Sequence, residues 1–417
     1  MAPRADAGIA KADALSAATY VRNNYFPQTI AAPDRGLDDG ETAAGIVARE
    51  WSGFEAARLA ERGRSTGNET TAAAIIKPHV RLASLEAAQP QTVVPQSQVT
   101  HAPSRMPSNV GGETVLVDFK TAPFPYHGII PGSGRPFLNV NKDGRFGHTN
   151  FRGHVFWEAE TFSDDRVLLE IPPGFELKRP AVMVVFFHGH GADLARDVRD
   201  RQQVPAQITA AGANAVLVAP QFAIDAADSS AGKFWEPDGF KRFLDEAAVK
   251  LARLYGDPRA AAAFAKMPIV IVAYSGGFGP TLSVLERGGV RPRVRGIVLL
   301  DALYAGIDKF ADWIADNRST FFVSSYTPHT AHHNADLERL LTARGVPYSS
   351  VLRRSHLQGM VSFLPAGDVS HRNFVTHAWS DDPITDILAR MDYGNPTVQT
   401  AGAVAPLYTS SVSSAHN

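Results

Sequence analysis

A serine, a histidine and a carboxylate can together split an acyl bond, and this chain carries each in a pattern that suggests its role. Ser275 lies in Ile269-Val270-Ile271-Val272-Ala273-Tyr274-Ser275-Gly276-Gly277-Phe278-Gly279-Pro280. The β-branched part reads as a buried strand. The small residues after it permit a tight turn, and Pro280 with the next periodic residues opens a helix that Gly288-Gly289 closes. A serine at the apex of strand, turn and helix is lifted above the sheet edge with a helix N-terminus beneath it, as a nucleophile requires. The usual pattern is Gly-x-Ser-x-Gly, and here Ala273 stands at the first glycine. The competing interpretation is an ordinary glycine-rich turn with an inert serine, and context has to decide.

That context lies upstream, in Ala181-Val182-Met183-Val184-Val185-Phe186-Phe187-His188-Gly189-His190-Gly191. A second buried strand ends there in a glycine-rich turn, where backbone N–H groups can face a developing oxyanion. The expected donors are the amides of Gly189, His190 and Gly191, with that of Gly276 after the nucleophile. A dinucleotide-binding turn is the alternative, but Leu194 and Leu282 stand where the third glycine of Gly-x-Gly-x-x-Gly should be.

With both motifs in this order, residues 115–391 resemble the α/β-hydrolase superfamily, its serine esterases and lipases in particular. The resemblance implies a mostly parallel central sheet flanked by helices on both faces, and a chain order of oxyanion strand, nucleophile, acid and histidine. Val294-Arg295-Gly296-Ile297-Val298-Leu299-Leu300 is the next buried strand and ends at Asp301, the candidate acid, whose alternative use is as a helix N-cap. Asp336 is the reserve. Three histidines compete for the base. His371 follows a strand and a Pro/Gly turn, so it sits on a loop that can fold back over the serine. His377, expected on a helix beside Trp379, ranks second, and His356 third. The resemblance puts the base in a late loop before the last helix, and Asp381-Asp382-Pro383 looks like that helix's cap and first turn.

The reading is therefore a serine hydrolase acting on a carboxylic ester through Ser275, His371 and Asp301, with a small-molecule acyl or ester substrate and neither metal nor organic cofactor. Amide or peptide hydrolysis would use the same apparatus. A non-catalytic binding module of the same fold is the alternative from another class. Phe222 and Trp235, in the loop after the strand Ala215-Val216-Leu217-Val218-Ala219-Pro220, and Tyr274 beside the nucleophile are candidate walls of the substrate site. His329, His332 and His333 suit no standard metal site by spacing and read as a solvated loop.

Composition sets the outer limits. A length of 417 residues exceeds one average domain, so a domain with extensions is expected. The net charge of −1 argues against a nucleic-acid partner. With no cysteine, disulfides, thiolate nucleophiles and cysteine-bound metals are excluded. The longest apolar runs are strand-length, too short to span a membrane. Met1-Ala2-Pro3-Arg4-Ala5-Asp6 does not resemble a signal peptide, so a cytoplasmic location is the default and export would need a leader removed beforehand. Residues 1–112 read as an extension: short helices at 20–26 and 44–61, then a proline-rich linker at 89–109. Residues 113–392 form the catalytic domain, with a polar, glycine-rich stretch at 127–153, and 393–417 form a tail. The sequence leaves oligomeric state open.

Overall fold

A computed structural model of the chain describes residues 113–150, 153–353 and 356–391. The helices and linker expected before residue 113 and the tail after 392 lie outside the described residues.

Eight strands form one sheet in the order β1-β5-β7-β6-β8-β9-β10-β11. They are β1 (Glu113–Asp118), β5 (Arg166–Ile171), β6 (Val182–Phe187), β7 (Ala215–Pro220), β8 (Ile269–Tyr274), β9 (Val294–Leu300), β10 (Phe321–Tyr326) and β11 (Val361–Pro365). β5 runs antiparallel to both β1 and β7, and every other pairing is parallel. The central strands β6, β7 and β8 are buried at every position, as continuous apolar runs covered on both faces must be.

Alternation along each strand divides the core into two layers. Met183, Val185, Phe187, Ile269, Ile271 and Ala273 face one layer, which also holds Phe240 and Phe243 of a long helix. Val182, Val184, Phe186, Val270, Val272 and Tyr274 face the other, with Ile208 and Ile384. The helices are α1 (Glu158–Thr161), α2 (Val204–Ala210), α3 (Gly239–Leu254), α4 (Ala261–Lys266), α5 (Phe278–Arg287), α6 (Ile307–Asp316), α7 (Ala331–Ala343) and α8 (Pro383–Ala389). The first layer packs against α3 to α7, and the second against α2 and α8. One polar side chain interrupts β5. Glu170 is buried, its Oε1 accepts from Thr209 (2.8 Å), and its Oε2 has no partner among the described residues.

Within the stretch read only as polar and glycine-rich lies a second, three-stranded sheet: β2 (Val140–Lys142), β3 (Arg145–Thr149) and β4 (Val155–Trp157). Asp143 and Gly144, both at positive φ (51° and 78°), turn β2 into β3, as expected of an Asp-Gly hairpin. Asn150, just past β3, donates to Ala227 O, and buried His148 lies beside Asp228, so this sheet sits on the loop that follows β7. Tyr126, Phe137 and Trp235 form an aromatic cluster behind that contact, Trp235 edge-on to the other two.

Candidate active site

β6 is the point where the sheet changes direction: the chain passes to β7 on one side and then returns to β8 on the other. Open α/β sheets place ligands at the carboxyl ends of such strands. The register pairs Phe187 with Ala273, so the glycine turn after β6 and the serine turn after β8 emerge side by side. They touch closely enough that a Cβ on Gly189 would fall 2.8 Å from the Cβ of Ser275. Ala273, in place of the usual glycine, buries its methyl in the first core layer.

Ser275 takes φ +52°, a left-handed conformation that is uncommon for a residue with a side chain and recurs where a fold over-determines a functional turn. Residues 275–277 form a short 3-10 turn leading directly into α5. The serine hydroxyl lies 2.8 Å from His371 Nε2, and His371 Nδ1 lies 2.6 Å from Asp301 Oδ2. These three side chains come from the ends of β8, β9 and the segment after β11. His371 opens a short 3-10 turn, Ser370 before it being extended.

Asp301 is fixed more firmly than an ordinary strand-end carboxylate. Its backbone N–H donates to Ser325 O (2.8 Å), and the Thr327 amide donates to its Oδ1 (3.1 Å). The hydroxyls of Thr327 and Thr330 also donate to the carboxylate, that of Thr330 at 2.5 Å. Burial pushes the carboxyl's pKa up, but the His371 hydrogen bond and charge, with the Thr330 hydroxyl and the Thr327 amide, more than offset this. The net effect lies below the usual aspartate value, so the anion is the stable form. Helix capping is not its role: α6 begins six residues later, after Gly306.

Tyr274, expected as a substrate wall, is buried against the histidine. Its ring stacks on the imidazole (centroids 5.1 Å apart), and its hydroxyl donates to His371 O (2.9 Å). Burial pushes this phenol's pKa well up, so it stays a donor. Phe222 and Trp235 likewise lie inside, 4% and 6% exposed. Phe222 packs edge-on against Phe187 and Phe234, and Trp235 against Tyr126 and Phe137. Aromatics from this loop fill core here.

The turn after β6 is built on His188, whose pKa burial lowers, keeping it neutral. Its Nε2 accepts from the Phe222 amide (2.8 Å), leaving Nδ1–H to donate to Gly189 O (2.8 Å). The Gly191 amide donates to Ala226 O (2.9 Å), so it is committed within the protein, unlike the substrate donor expected from sequence.

The competing residues lie elsewhere. His377 is exposed and forms a bridge to Asp381 rather than standing on a helix; its Nδ1 bonds the Thr376 hydroxyl. His356 is exposed, and Asp336 pairs with Arg339 on the surface of α7. The stretch carrying His332 and His333 is the first turn of α7 and not a solvated loop. His333 is buried against Leu303 O, and desolvation, aided by neighbouring His332, lowers its pKa to about 4. Among the described residues no group of three or more His, Cys, Asp or Glu side chains could hold a metal ion, and no helix is long and apolar enough to cross a membrane.

Strand order, the antiparallel second strand and a serine turn after the strand next to β6 make one recognisable topology. The fold is that of the α/β-hydrolases.

No family model matches the chain, and no curated protein matches it in sequence. Solved structures resemble it at low identity. A feruloyl esterase module from Clostridium thermocellum, complexed with sinapinate, is 15% identical over 69% of this chain and all of that one, at a TM-score of 0.37. Brefeldin A esterase, a bacterial homologue of human hormone sensitive lipase, is 13% identical over 91% of both chains, with a TM-score of 0.37. An S-formylglutathione hydrolase from Agrobacterium tumefaciens is 9% identical over 61% of this chain and 98% of its own, at 0.35.

Proposed function

We propose that this α/β-hydrolase-fold protein is a serine hydrolase that cleaves carboxylic esters through an acyl-enzyme on Ser275. One observation carries the reading: an unbroken hydrogen-bonded line from Ser275 Oγ through both nitrogens of His371 to the buried carboxylate of Asp301. In the first half-reaction Ser275 Oγ bonds to the ester carbonyl carbon while its proton passes to His371 Nε2. Asp301, ionised and held by two threonines, supports the imidazolium without taking the proton. The carbonyl oxygen gains charge facing the amides of Gly276 and of the Gly189-His190 turn. Collapse breaks the carbon–oxygen bond to the alcohol, which leaves with the proton from His371. Water repeats the sequence, giving up its proton to His371 and releasing the acid from Ser275.

Labelling with a fluorophosphonate probe and mapping the adduct by mass spectrometry tests this reading. The expected result is a single adduct on Ser275, lost in Ser275→Ala, together with turnover of p-nitrophenyl esters. A folded protein that neither reacts with the probe nor hydrolyses any ester overturns it. Matched anilides measured in parallel report whether amides are also cleaved.

A further inference from the structure

The side chain of His190 stands where neither half of the Ser275–His371–Asp301 line uses it. Its imidazole fills the space beside Gly276: a Cβ built there would come 2.1 Å from His190 Cδ2 and 2.5 Å from Nε2. The ring is held in that place by a 2.5 Å hydrogen bond between Nε2 and Ser229 Oγ.

Ser229 belongs to a segment that is itself tied down. Asp225 accepts from Arg196 (3.1 Å), Ala226 O from the Gly191 amide (2.9 Å) and Ala227 O from Asn150 (3.3 Å). Asp228, which bonds the Ser230 amide at 2.7 Å, lies 3.5 Å from buried His148. On its other side Ser229 O presses on α5, so near that a Cβ on Gly279 would fall 2.3 Å from it. The imidazole is therefore clamped between a fixed loop and the nucleophile turn.

Gly276 needs such a clamp. It follows a left-handed serine and, although its carbonyl accepts from the Phe278 amide within the 3-10 turn, glycine tolerates backbone angles that a side chain would forbid. A donor that swings by tens of degrees is a poor partner for an oxyanion, because stabilisation depends on a preset orientation.

We propose that the His190 imidazole, clasped by Ser229, is a positioning residue that locks the Gly276 amide toward the oxyanion. The inference rests on the serine-hydrolase reading above. It assigns the effect to the transition state, so the loss on removing the ring falls on kcat and leaves KM nearly unchanged.

The experiment compares His190→Ala, His190→Gln and Ser229→Ala with the wild type on one p-nitrophenyl ester, alongside the affinity of a phenylboronic acid that forms a tetrahedral adduct on the serine. His190→Ala should lower kcat by about 10- to 100-fold, below the effect of deleting an oxyanion donor outright. Boronate affinity should fall by a similar factor and KM should change by less than about threefold. His190→Gln, which still reaches Ser229, should recover most of the loss, and Ser229→Ala should show a weaker form of the same kcat-only defect. Unchanged kcat and boronate affinity in both His190→Ala and Ser229→Ala, or a loss confined to KM, overturns the proposal. Should His190→Ala not fold, Ser229→Ala decides alone by the same two readouts. A wild type that hydrolyses no ester and takes no fluorophosphonate fails differently, since it removes the parent reading and this inference with it.

Discussion

His371 and Asp301 differ in what their removal should cost. In the proposed mechanism His371 moves a proton in both half-reactions, so His371→Ala should lower kcat by about 10⁴- to 10⁶-fold. Asp301 touches no substrate; Asp301→Ala should cost less than removing Ser275 or His371, and His377→Ala and His356→Ala far less again. Steady-state kinetics on a p-nitrophenyl ester separate the three grades. The residues that carry the proposed chemistry were legible because each sits in a local pattern: Ser275 in its tight turn, Asp301 at a strand end, His371 past a Pro/Gly turn. Thr327 and Thr330 were not. Nothing in Tyr326-Thr327-Pro328-His329-Thr330 distinguishes them from loop threonines until β9 and β10 pair and bring them to Asp301. Ser229 was hidden for the same reason, since its partner His190 lies 39 positions away.

At the level of strands and helices, apolar runs named the central strands of the sheet almost residue for residue. Helix ends were less exact, and α5 begins at Phe278 rather than at Pro280. The small sheet was missed although Asp143-Gly144 between polar residues signals a hairpin, because β2 to β4 lack the alternating apolar face that marks a strand. Glu170 gives β5 a measurable signature. Burial raises its pKa to about 7 against the 4.5 of an ordinary glutamate, with the Thr209 bond only partly offsetting this. The native state thus holds a proton between these values that the unfolded chain has released, so stability falls as pH rises through that window and the deficit is complete above it. Glu170→Gln should therefore raise Tm at pH 8 to 9, by a free energy of about 1–3 kcal/mol, and change little at pH 4. Thermal melts of both proteins across pH check the sign; an equal shift at every pH would place the effect in packing instead.

For the molecule as a whole, all eight strands of the sheet come from residues 113–365. Deleting residues 1–109 should leave kcat/KM for a simple ester largely intact, while loss of both folding and activity would show that this segment packs on the catalytic domain. The other end of the chain is a different matter. After β11, at one edge of the sheet, the backbone passes back over the site. Arg372 O accepts from Arg201, Val375 O from Gln207 and the Ile384 amide donates to Gln207, so the strap ends on α2 near the sheet's centre. This sets an order in time. A ribosome delivers the Ser275 turn nearly a hundred residues before it delivers His371, and the strap that seats His371 follows it. Emerging chains should carry an inert serine through most of their synthesis, and hydrolytic competence should arrive abruptly when the final turns dock. Chains arrested before His371 has left the ribosome should stay unlabelled by a fluorophosphonate, whereas released chains react; early labelling would mean that Ser275 is activated without the strap.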